Sequence, residues 1–231
     1  MPRFDVILWD VDGTLLNFLA AEDIAMRFLF QDFGLGECSD SMVKQYSRIN
    51  DLYWKKLESG EMTRAEILVK RFDAFFQSVG IDSVDGNAFN IAYQKRLGET
   101  VVFSDNAFEV VSLLKGKIPQ YVVSNGTIVA QTGKLTKSGL IHLMDGIFLS
   151  ERLGAEKPSI DFFNQVFKEI KPIDKSKVLI VGDSLTSDIA GGINAGIKTC
   201  WFNPLKTPNQ IALTPDYEIE NLKEILSLLD S

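Results

Sequence analysis

The chain has 231 residues, of which 45% are hydrophobic, and its 31 acidic and 24 basic side chains give a net charge of −7. A chain of this length buries roughly 70–75% of its unfolded surface, enough for one domain or for a domain carrying a smaller insert. The negative charge repels DNA and RNA and excludes a nucleic-acid polymer as partner, although a local cationic pocket can still attract a small phosphate.

Cysteine usage and hydropathy bear on the compartment. Cys38 and Cys200 lie far apart and form no CxxC pair, so neither a disulfide framework nor a cysteine zinc site is indicated. The sequence shows no basic and apolar leader, and no run approaches about 18 apolar residues. We therefore expect a cytoplasmic protein that has no membrane partner.

Short apolar segments bounded by polar residues or glycine predict five buried strands. They cover residues 6–9, 120–124, 146–149, 177–181 and 198–202. Residues 159–170 place apolar side chains three and four positions apart, as in an amphipathic helix, and residues 185–195 can form the next crossover helix. The alternation of strand and helix predicts an α/β fold, with a parallel sheet covered on both faces.

Residues 17–98 show a different pattern, with amphipathic helices and no convincing strand. Two apolar stripes are clear: Met42, Tyr46, Ile49, Tyr53 and Leu57 line one helix, and Leu68, Phe72, Phe75, Phe76 and Val79 line another. Such stripes are typical of the core of a small helical bundle. We predict an inserted helical domain, joined to its host near residues 15–20 and 98–104.

Two carboxylates follow the first predicted strand, in the sequence Asp10-Val-Asp12-Gly13-Thr14. The carboxyl ends of parallel strands form the crevice in which ligands bind, and residues two apart in extended chain point to the same side. Both carboxylates are therefore expected to face one small volume, where their repulsion favours a cation or a proton between them. The alternative is that these acids only cap the following turn.

Three further polar clusters fall where the same crevice would collect them. Ser124 and Asn125 end the second strand of the core, Lys157 precedes Pro158 ahead of a helix, and Asp183 and Asp188 follow the fourth strand. Taken singly, the lysine is more often a solvated surface residue, and either aspartate can be a helix cap. Together they describe one site.

The chemistry of this set suits Mg²⁺ and a phosphate. Carboxylate oxygens are the ligands that Mg²⁺ prefers, whereas zinc would normally recruit histidine or thiolate. The only histidine, His142, lies between a helix and a strand and is interpreted as a structural or surface residue. Histidine-based acid–base or triad chemistry is therefore not expected.

Four segments resemble, in their order, the signature motifs of the haloacid dehalogenase superfamily. They are DVDGT at 10–14, SN at 124–125, KP at 157–158 and GDSLTSD at 182–188. The helical insertion after the first motif resembles the first type of cap in that superfamily. The resemblance implies a three-layer α/β/α Rossmann-like core of residues 1–16 and 99–231, with a helical cap domain of residues 17–98. Residues 151–204 look like the branch of noncanonical pyrimidine nucleotidases, or 5′-nucleotidases.

The resemblance also implies roles for the acids of the first and fourth motifs. Asp10 would be the nucleophile that forms an aspartyl-phosphate. Asp12 would protonate the leaving alkoxide and then activate water, and its backbone carbonyl would bind the metal. Mg²⁺ would bridge Asp10, the substrate phosphate and Asp183.

The remaining motif residues would surround the phosphate. Ser124 and Lys157 would hold phosphate oxygens, with Asn125 and loop amides helping, and Lys157 belongs to the catalytic set. Asp188 would act through water or by orienting Lys157. Cation and fixed donors together would stabilise charge on the phosphoryl oxygens.

We therefore expect a Mg²⁺-dependent phosphomonoester hydrolase acting on a small phosphorylated substrate, and the preferred candidate is a pyrimidine nucleoside 5′-monophosphate. Carbon–halogen chemistry is disfavoured because that pattern lacks the second aspartate of the first motif. A phosphonate-cleaving enzyme would need a cap lysine, and the candidates look solvated: Lys44, Lys55, Lys56 and Lys70.

Three alternatives stay open at this point. A phosphoglycolate or sugar-phosphate phosphatase and a β-phosphoglucomutase-like phosphoryl transferase would use the same core residues. A non-catalytic interaction protein on this fold would be expected to lack Asp10, Asp12, Lys157 or Asp183, and all four are present. The sequence carries no signal for the oligomeric state.

Overall fold

Six parallel strands form one sheet in the order β3-β2-β1-β4-β5-β6. The computed structural model of the chain describes residues 3–170 and 174–230. The strands are β1 (Val6–Trp9), β2 (Gln120–Ser124), β3 (Gly146–Leu149), β4 (Val178–Gly182), β5 (Lys198–Phe202) and β6 (Tyr217–Ile219). Their short, almost wholly apolar segments are typical of strands buried on both faces.

Four of the five predicted strands have the observed bounds. The prediction of 177–181 is one residue early, because Lys177 ends a 3₁₀ turn (Lys175–Lys177) and Gly182 still pairs with Trp201 of β5. The edge strand β6 was not predicted. Its three residues include one exposed and one half-buried side chain, which leaves too short an apolar pattern to detect.

Helices cover both faces of the sheet. They are α5 (Ala107–Leu114), α6 (Ile128–Ser138), α7 (Ser150–Leu153), α8 (Ile160–Glu169), α9 (Ala190–Ala195) and α10 (Glu224–Asp230), with a 3₁₀ turn at Leu140–His142 and a π-helical turn at Leu185–Ile189. Alternate residues of β1 pack against the helix layers on opposite faces of the sheet. Ile7 and Trp9 belong to the hydrophobic cluster that includes α5 and α10, and Val6 and Leu8 belong to the cluster that includes α8. The predicted three-layer α/β/α class is confirmed.

Four helices lie between β1 and α5 in the chain: α1 (Phe18–Asp32), α2 (Asp40–Glu58), α3 (Arg64–Val79) and α4 (Gly86–Glu99). Their shared core is rich in aromatic rings, with Tyr46 stacked on Phe72 at a centroid distance of 5.0 Å. The predicted stripe of α3 is displaced at one position, because Ile67 is fully buried and Leu68 only partly. The helical character predicted for residues 17–98 is observed, and their status as a cap domain stays a proposal.

The two chain segments that connect these helices to the sheet lie side by side. The Asn17 N–H donates to the Val102 carbonyl at 2.8 Å, and Leu16 and Phe103 form an antiparallel bridge. Helix α4 also packs closely on α6, where a Cβ added to Gly133 would lie 2.8 Å from the Gly98 Cα. The glycines therefore allow the two helices to approach at backbone distance.

Within residues 3–170 and 174–230, none of the helices is long and apolar enough to span a membrane. The thiols of Cys38 and Cys200 are buried and unbridged.

Candidate active site

Three carboxylates converge at the carboxyl end of the sheet. Asp10 follows β1 and its N–H donates to the Val181 carbonyl at 2.9 Å, Asp183 follows β4, and Asp188 lies in the π-helical turn. One carboxylate oxygen from each residue lies within 4.8 Å of the other two. The structure thus brings together three acids that are up to 178 positions apart in the chain, from position 10 to position 188.

Lys157 is buried among these acids, with only 1% of its side chain exposed. Its Nζ donates to Asp10 Oδ1 at 2.8 Å, to Asp188 Oδ1 at 2.6 Å and to the Val123 carbonyl at 2.8 Å. The three bonds match the three protons of the ammonium group. Burial opposes its charge, but Asp10 and Asp188 outweigh burial and raise the pKa of Lys157 above its ordinary value.

Two of the acids, Asp10 and Asp183, have raised pKa values. Burial raises the pKa of Asp10 to about 7, although Lys157 acts in the opposite direction. Asp183 remains accessible from the crevice, yet partial removal from bulk water and the charges of Asp10 and Asp188 raise its pKa well above the ordinary range. One lysine facing three acids leaves an excess of negative charge, which favours a bound cation.

The donor set fits a hard divalent cation, because the converging side-chain atoms are carboxylate oxygens. Gly13 supports this arrangement with a φ of 92°, a conformation that other residues rarely adopt. A Cβ added at Gly13 would lie 2.3 Å from Asp183 Oδ2. The glycine therefore keeps space for the Asp183 carboxylate beside the loop after β1.

We expected the carboxylates of Asp12 and Asp10 to face the same small volume, but in the structure they do not. Asp12 lies outside the three-carboxylate cluster and turns toward α6, where Lys134 Nζ donates to Oδ1 at 2.5 Å and Gln131 Nε2 donates to Oδ2 at 2.5 Å. The reason is that β1 ends at Trp9 and the chain turns at once, with the Gly13 N–H donating to the Leu16 carbonyl at 2.8 Å. The two-residue alternation of a strand does not extend to this turn.

The segment after β2 holds the loop that carries Lys157 in place by hydrogen bonds. The Asn125 side chain accepts from the Lys157 N–H at 2.9 Å and donates to the Lys157 carbonyl at 2.9 Å. The Ser124 hydroxyl accepts from the Gly126 N–H at 3.1 Å and lies at the end of the strand as predicted. Asn125 therefore positions Lys157.

Four residues at the site were not predicted from the sequence: Gln131, Lys134, Arg64 and Glu58. Gln131 and Lys134 are three apart on α6, and both are buried although polar. That spacing, directly after the Ser124-Asn125-Gly126 segment, was the available signal. The other two residues lie on α2 and α3, whose patterns gave no indication of what their polar sides face.

Arg64 and Glu58 connect the helical insert to the loops of the site. Arg64 donates through Nη1 to the Asn125 carbonyl at 2.7 Å and through Nη2 to Ser150 and to Glu156, the latter at 3.3 Å. Glu58 accepts from the Thr186 hydroxyl at 2.7 Å, and burial raises its pKa. The insert thus directly contacts the segments that follow β2, β3 and β4.

Other predicted features are placed as follows. His142 is exposed in the 3₁₀ turn before β3, away from the acids. In the helical insert Lys44, Lys55 and Lys70 are exposed, and Lys56 Nζ lies 5.2 Å from the centroid of the Tyr53 ring.

Comparison with known proteins adds independent evidence. The model of the haloacid dehalogenase-like hydrolases matches residues 4–196. The HAD-hydrolase YfnB of Bacillus subtilis is 40% identical over 230 residues, covering 100% of this chain and 97% of that protein. The pyrimidine 5′-nucleotidase PynA of Streptococcus pneumoniae is 34% identical, covering 98% and 95% of the two chains. The pyrimidine 5′-nucleotidase YjjG of Escherichia coli is 27% identical, covering 98% of both.

A solved structure shows the same similarity in three dimensions. The crystal structure of YfnB bound to magnesium matches with a TM-score of 0.93 and 39% identity, over 99% of this chain and 100% of that one. That structure is described as revealing interdomain movement. The similarity therefore extends over both the sheet and the helical insert.

Proposed function

Since the chain belongs to the haloacid dehalogenase-like hydrolases, we propose that it is a Mg²⁺-dependent phosphatase of pyrimidine nucleoside 5′-monophosphates that acts through an aspartyl-phosphate on Asp10. The observation that carries this proposal is the buried Lys157 that joins Asp10 to Asp188, beside the accessible carboxylate of Asp183. The names of PynA and YjjG support the choice of substrate.

Asp10 is the proposed nucleophile. Lys157 holds its Oδ1 at 2.8 Å and so fixes the orientation of the carboxylate relative to the phosphorus. Asp10, Asp183 and the backbone carbonyl of Asp12 are the proposed ligands of Mg²⁺, which when bound would neutralise charge on the phosphoryl oxygens. Ser124 and Lys157 are proposed to hold further phosphate oxygens, Lys157 by exchanging one of its three hydrogen bonds for one to phosphate, while Asp188 keeps Lys157 in place.

Asp12 is the proposed general acid and base. It protonates the leaving alkoxide as the bond to Asp10 forms, and it then takes a proton from the water that hydrolyses the aspartyl-phosphate. Lys134 and Gln131 hold one carboxylate oxygen each, which orients Asp12 toward the cavity that it lines. An acid in this role is what a poor leaving group such as an alkoxide requires, and halide would not.

A phosphate-release panel tests the proposal. The substrates are UMP, dUMP, dTMP, purine nucleotides, phosphoglycolate and hexose phosphates, each assayed with Mg²⁺ and with chelator. We expect turnover with Mg²⁺ only and a preference for the pyrimidine nucleotides. Preference for phosphoglycolate or a hexose phosphate would overturn the substrate assignment, and turnover undiminished by chelator would overturn the metal requirement.

Two variants separate the nucleophile from general effects. Asp10→Asn should abolish turnover while the far-ultraviolet circular dichroism stays unchanged. Asp5→Asn is the matched control, because Asp5 lies on the same segment but is exposed and pairs only with Lys177 at 3.7 Å among the ion pairs of the described residues. Retained turnover in Asp10→Asn would end its role as nucleophile.

A further inference from the structure

A narrow cavity lies beside Asp12, between the helical insert and α6. Residues of the insert form one wall, and α6 with the loop before it forms the other. The polar and aromatic residues that bear on its chemistry are Phe18, Trp54, Arg71, Gln94, Gln131 and Lys134. In the proposed reaction the leaving-group oxygen emerges at Asp12, so the rest of the leaving group extends into this cavity.

Each wall includes a residue with a buried polar atom that has no hydrogen-bond partner. In the part of the chain that the structure describes, four buried side-chain atoms have no partner, and two of them are Arg71 Nε and Gln131 Oε1. A buried polar atom without a partner destabilises the fold because it has lost its hydrogen bonds to water. Because one of the two atoms is a donor and the other an acceptor, a ligand that offers both an acceptor and a donor would satisfy them.

The guanidinium of Arg71 is fixed in place by its other nitrogens. Nη1 donates to Asn50 at 2.6 Å and Nη2 donates to Asn90 at 3.0 Å, and the residue is only 1% exposed. The Nε–H group of Arg71 is therefore held in one orientation. Such preorganisation lowers the entropy lost when a ligand is bound.

Gln131 is fixed in the same way on the other wall. Its Nε2 donates to Asp12 Oδ2 at 2.5 Å, which leaves its carbonyl oxygen as the unused acceptor. The same side chain therefore contacts the proposed general acid and lines the space that receives the leaving group.

We infer that Arg71 and Gln131 form a subsite for the base of the substrate, in which Arg71 Nε donates to a carbonyl oxygen of a pyrimidine and Gln131 Oε1 accepts a ring or exocyclic N–H. This inference rests on the proposed function and deepens it by naming the residues that select the leaving group. The adjacent carbonyl and N–H groups of uracil or thymine supply both partners. The rings of Trp54 and Phe18 in the same lining offer flat apolar surfaces to a planar base.

In the conformation described, the cavity has room for about one water molecule. A base therefore enters only when the wall formed by the insert moves away from α6. A one-ring base requires a smaller separation than a purine, which is the physical reason for assigning the subsite to pyrimidines.

The first experiment uses the unaltered enzyme, so that folding of a variant does not enter. The kcat/KM for phosphate release is compared between UMP and 3-methyluridine 5′-monophosphate, in which a methyl group replaces the N3 proton. We expect the methyl group to lower kcat/KM by about tenfold or more, because Gln131 loses its donor and the group occupies space. Equal efficiency on both substrates would overturn the subsite while leaving a UMP phosphatase intact.

The second experiment measures the ratio of kcat/KM for UMP to that for ribose 5-phosphate, which lacks the base. Loss of folded enzyme cancels in this ratio because both substrates meet the same preparation. Arg71→Lys retains the buried charge but loses the guanidinium geometry, and the ratio should fall about tenfold or more. Arg48→Lys, on an exposed arginine of α2, is the matched control and should leave it unchanged.

The outcomes separate the two levels of the proposal. An unchanged ratio in Arg71→Lys, with ribose 5-phosphate still a poor substrate, would overturn the role of Arg71 and keep the nucleotidase assignment. If the unaltered enzyme releases no phosphate from UMP, the substrate assignment fails and the subsite fails with it.

Discussion

Glu22 in the interior of the helical insert provides a quantitative test of the structure. The residue is fully buried on α1 and accepts hydrogen bonds from Ser47, from Asn50 at 3.0 Å and from Tyr93 at 3.3 Å. Burial raises its pKa from 4.5 to about 7, although these bonds and the nearby charge of Arg71 act in the opposite direction. A rise of this size corresponds to about 3 kcal/mol between the two protonation states.

The sign follows from proton linkage. The folded state of the chain binds the Glu22 proton more tightly than the unfolded state does, so this group weakens folding as the pH rises. Below about pH 4.5 both states are protonated and there is no penalty; between 4.5 and 7 the penalty grows; above 7 it is complete. The variant Glu22→Gln is neutral at every pH and has no such dependence.

Urea unfolding at pH 5, 6, 7 and 8 measures this effect. We expect the free energy of unfolding of Glu22→Gln, relative to the unaltered protein, to shift in favour of the variant by about 2.5 kcal/mol between pH 5 and pH 8, because part of the penalty is already present at pH 5. Replacing the carboxylate by an amide also changes the hydrogen bonds at this position. That change shifts the whole curve of unfolding free energy against pH by a constant amount, but it does not alter how the curves of the variant and the unaltered protein diverge as the pH rises. The exposed Glu37 supplies the matched control Glu37→Gln. Parallel curves for Glu22→Gln would refute the assignment of a raised pKa to this carboxyl.

Three further predictions concern the loop after β1. Asp12→Asn should lower kcat by roughly 10²–10⁴ in steady-state phosphate release, and a change in KM alone would contradict its role in proton transfer. Lys134→Met should lower kcat by about tenfold because Asp12 loses the partner at 2.5 Å, whereas unchanged kcat would show that this contact does not orient the acid. Gly13→Ala should weaken Mg²⁺ binding in a calorimetric titration and lower Tm, since its Cβ would lie 2.3 Å from Asp183; unaltered values would mean that the loop adapts.

The sheet was predictable because its strands are short apolar runs buried on both faces. Leu8 and Ile180 show the reason: each faces a helix layer, so the apolar pattern is continuous and bounded sharply by polar residues. Edge strand β6 escaped prediction because Glu218 is exposed and Tyr217 only half buried. The other edge strand, β3, was predicted because its four residues are all apolar or glycine.

The convergence of the acids was predictable where strand ends determine their positions, whereas the contacts made by α6 and by the helices of the insert were not. Asp10 and Asp183 follow neighbouring parallel strands, so topology alone brings them together. The direction of the Asp12 side chain depends on the turn at Gly13 and on its hydrogen-bond partners on α6. The hydrophobic periodicity of the sequence indicates neither of them. Arg71 lies within an aromatic stripe of α3, where the pattern identifies a buried face but not the partners across it.

Contacts between the insert and the core link the cavity to the phosphate site. Arg64 binds the carbonyl of Asn125, whose side chain in turn holds the backbone of Lys157 through two bonds. Glu58 binds Thr186, in the turn that carries Asp188. A movement of α2 and α3 that widens the cavity enough for a base must therefore break or stretch both contacts. Their recovery when the helices return would restore the positions of the loops that hold Lys157 and Asp188. Under the proposed function, binding of the leaving group and assembly of the phosphate site would then be parts of one conformational step.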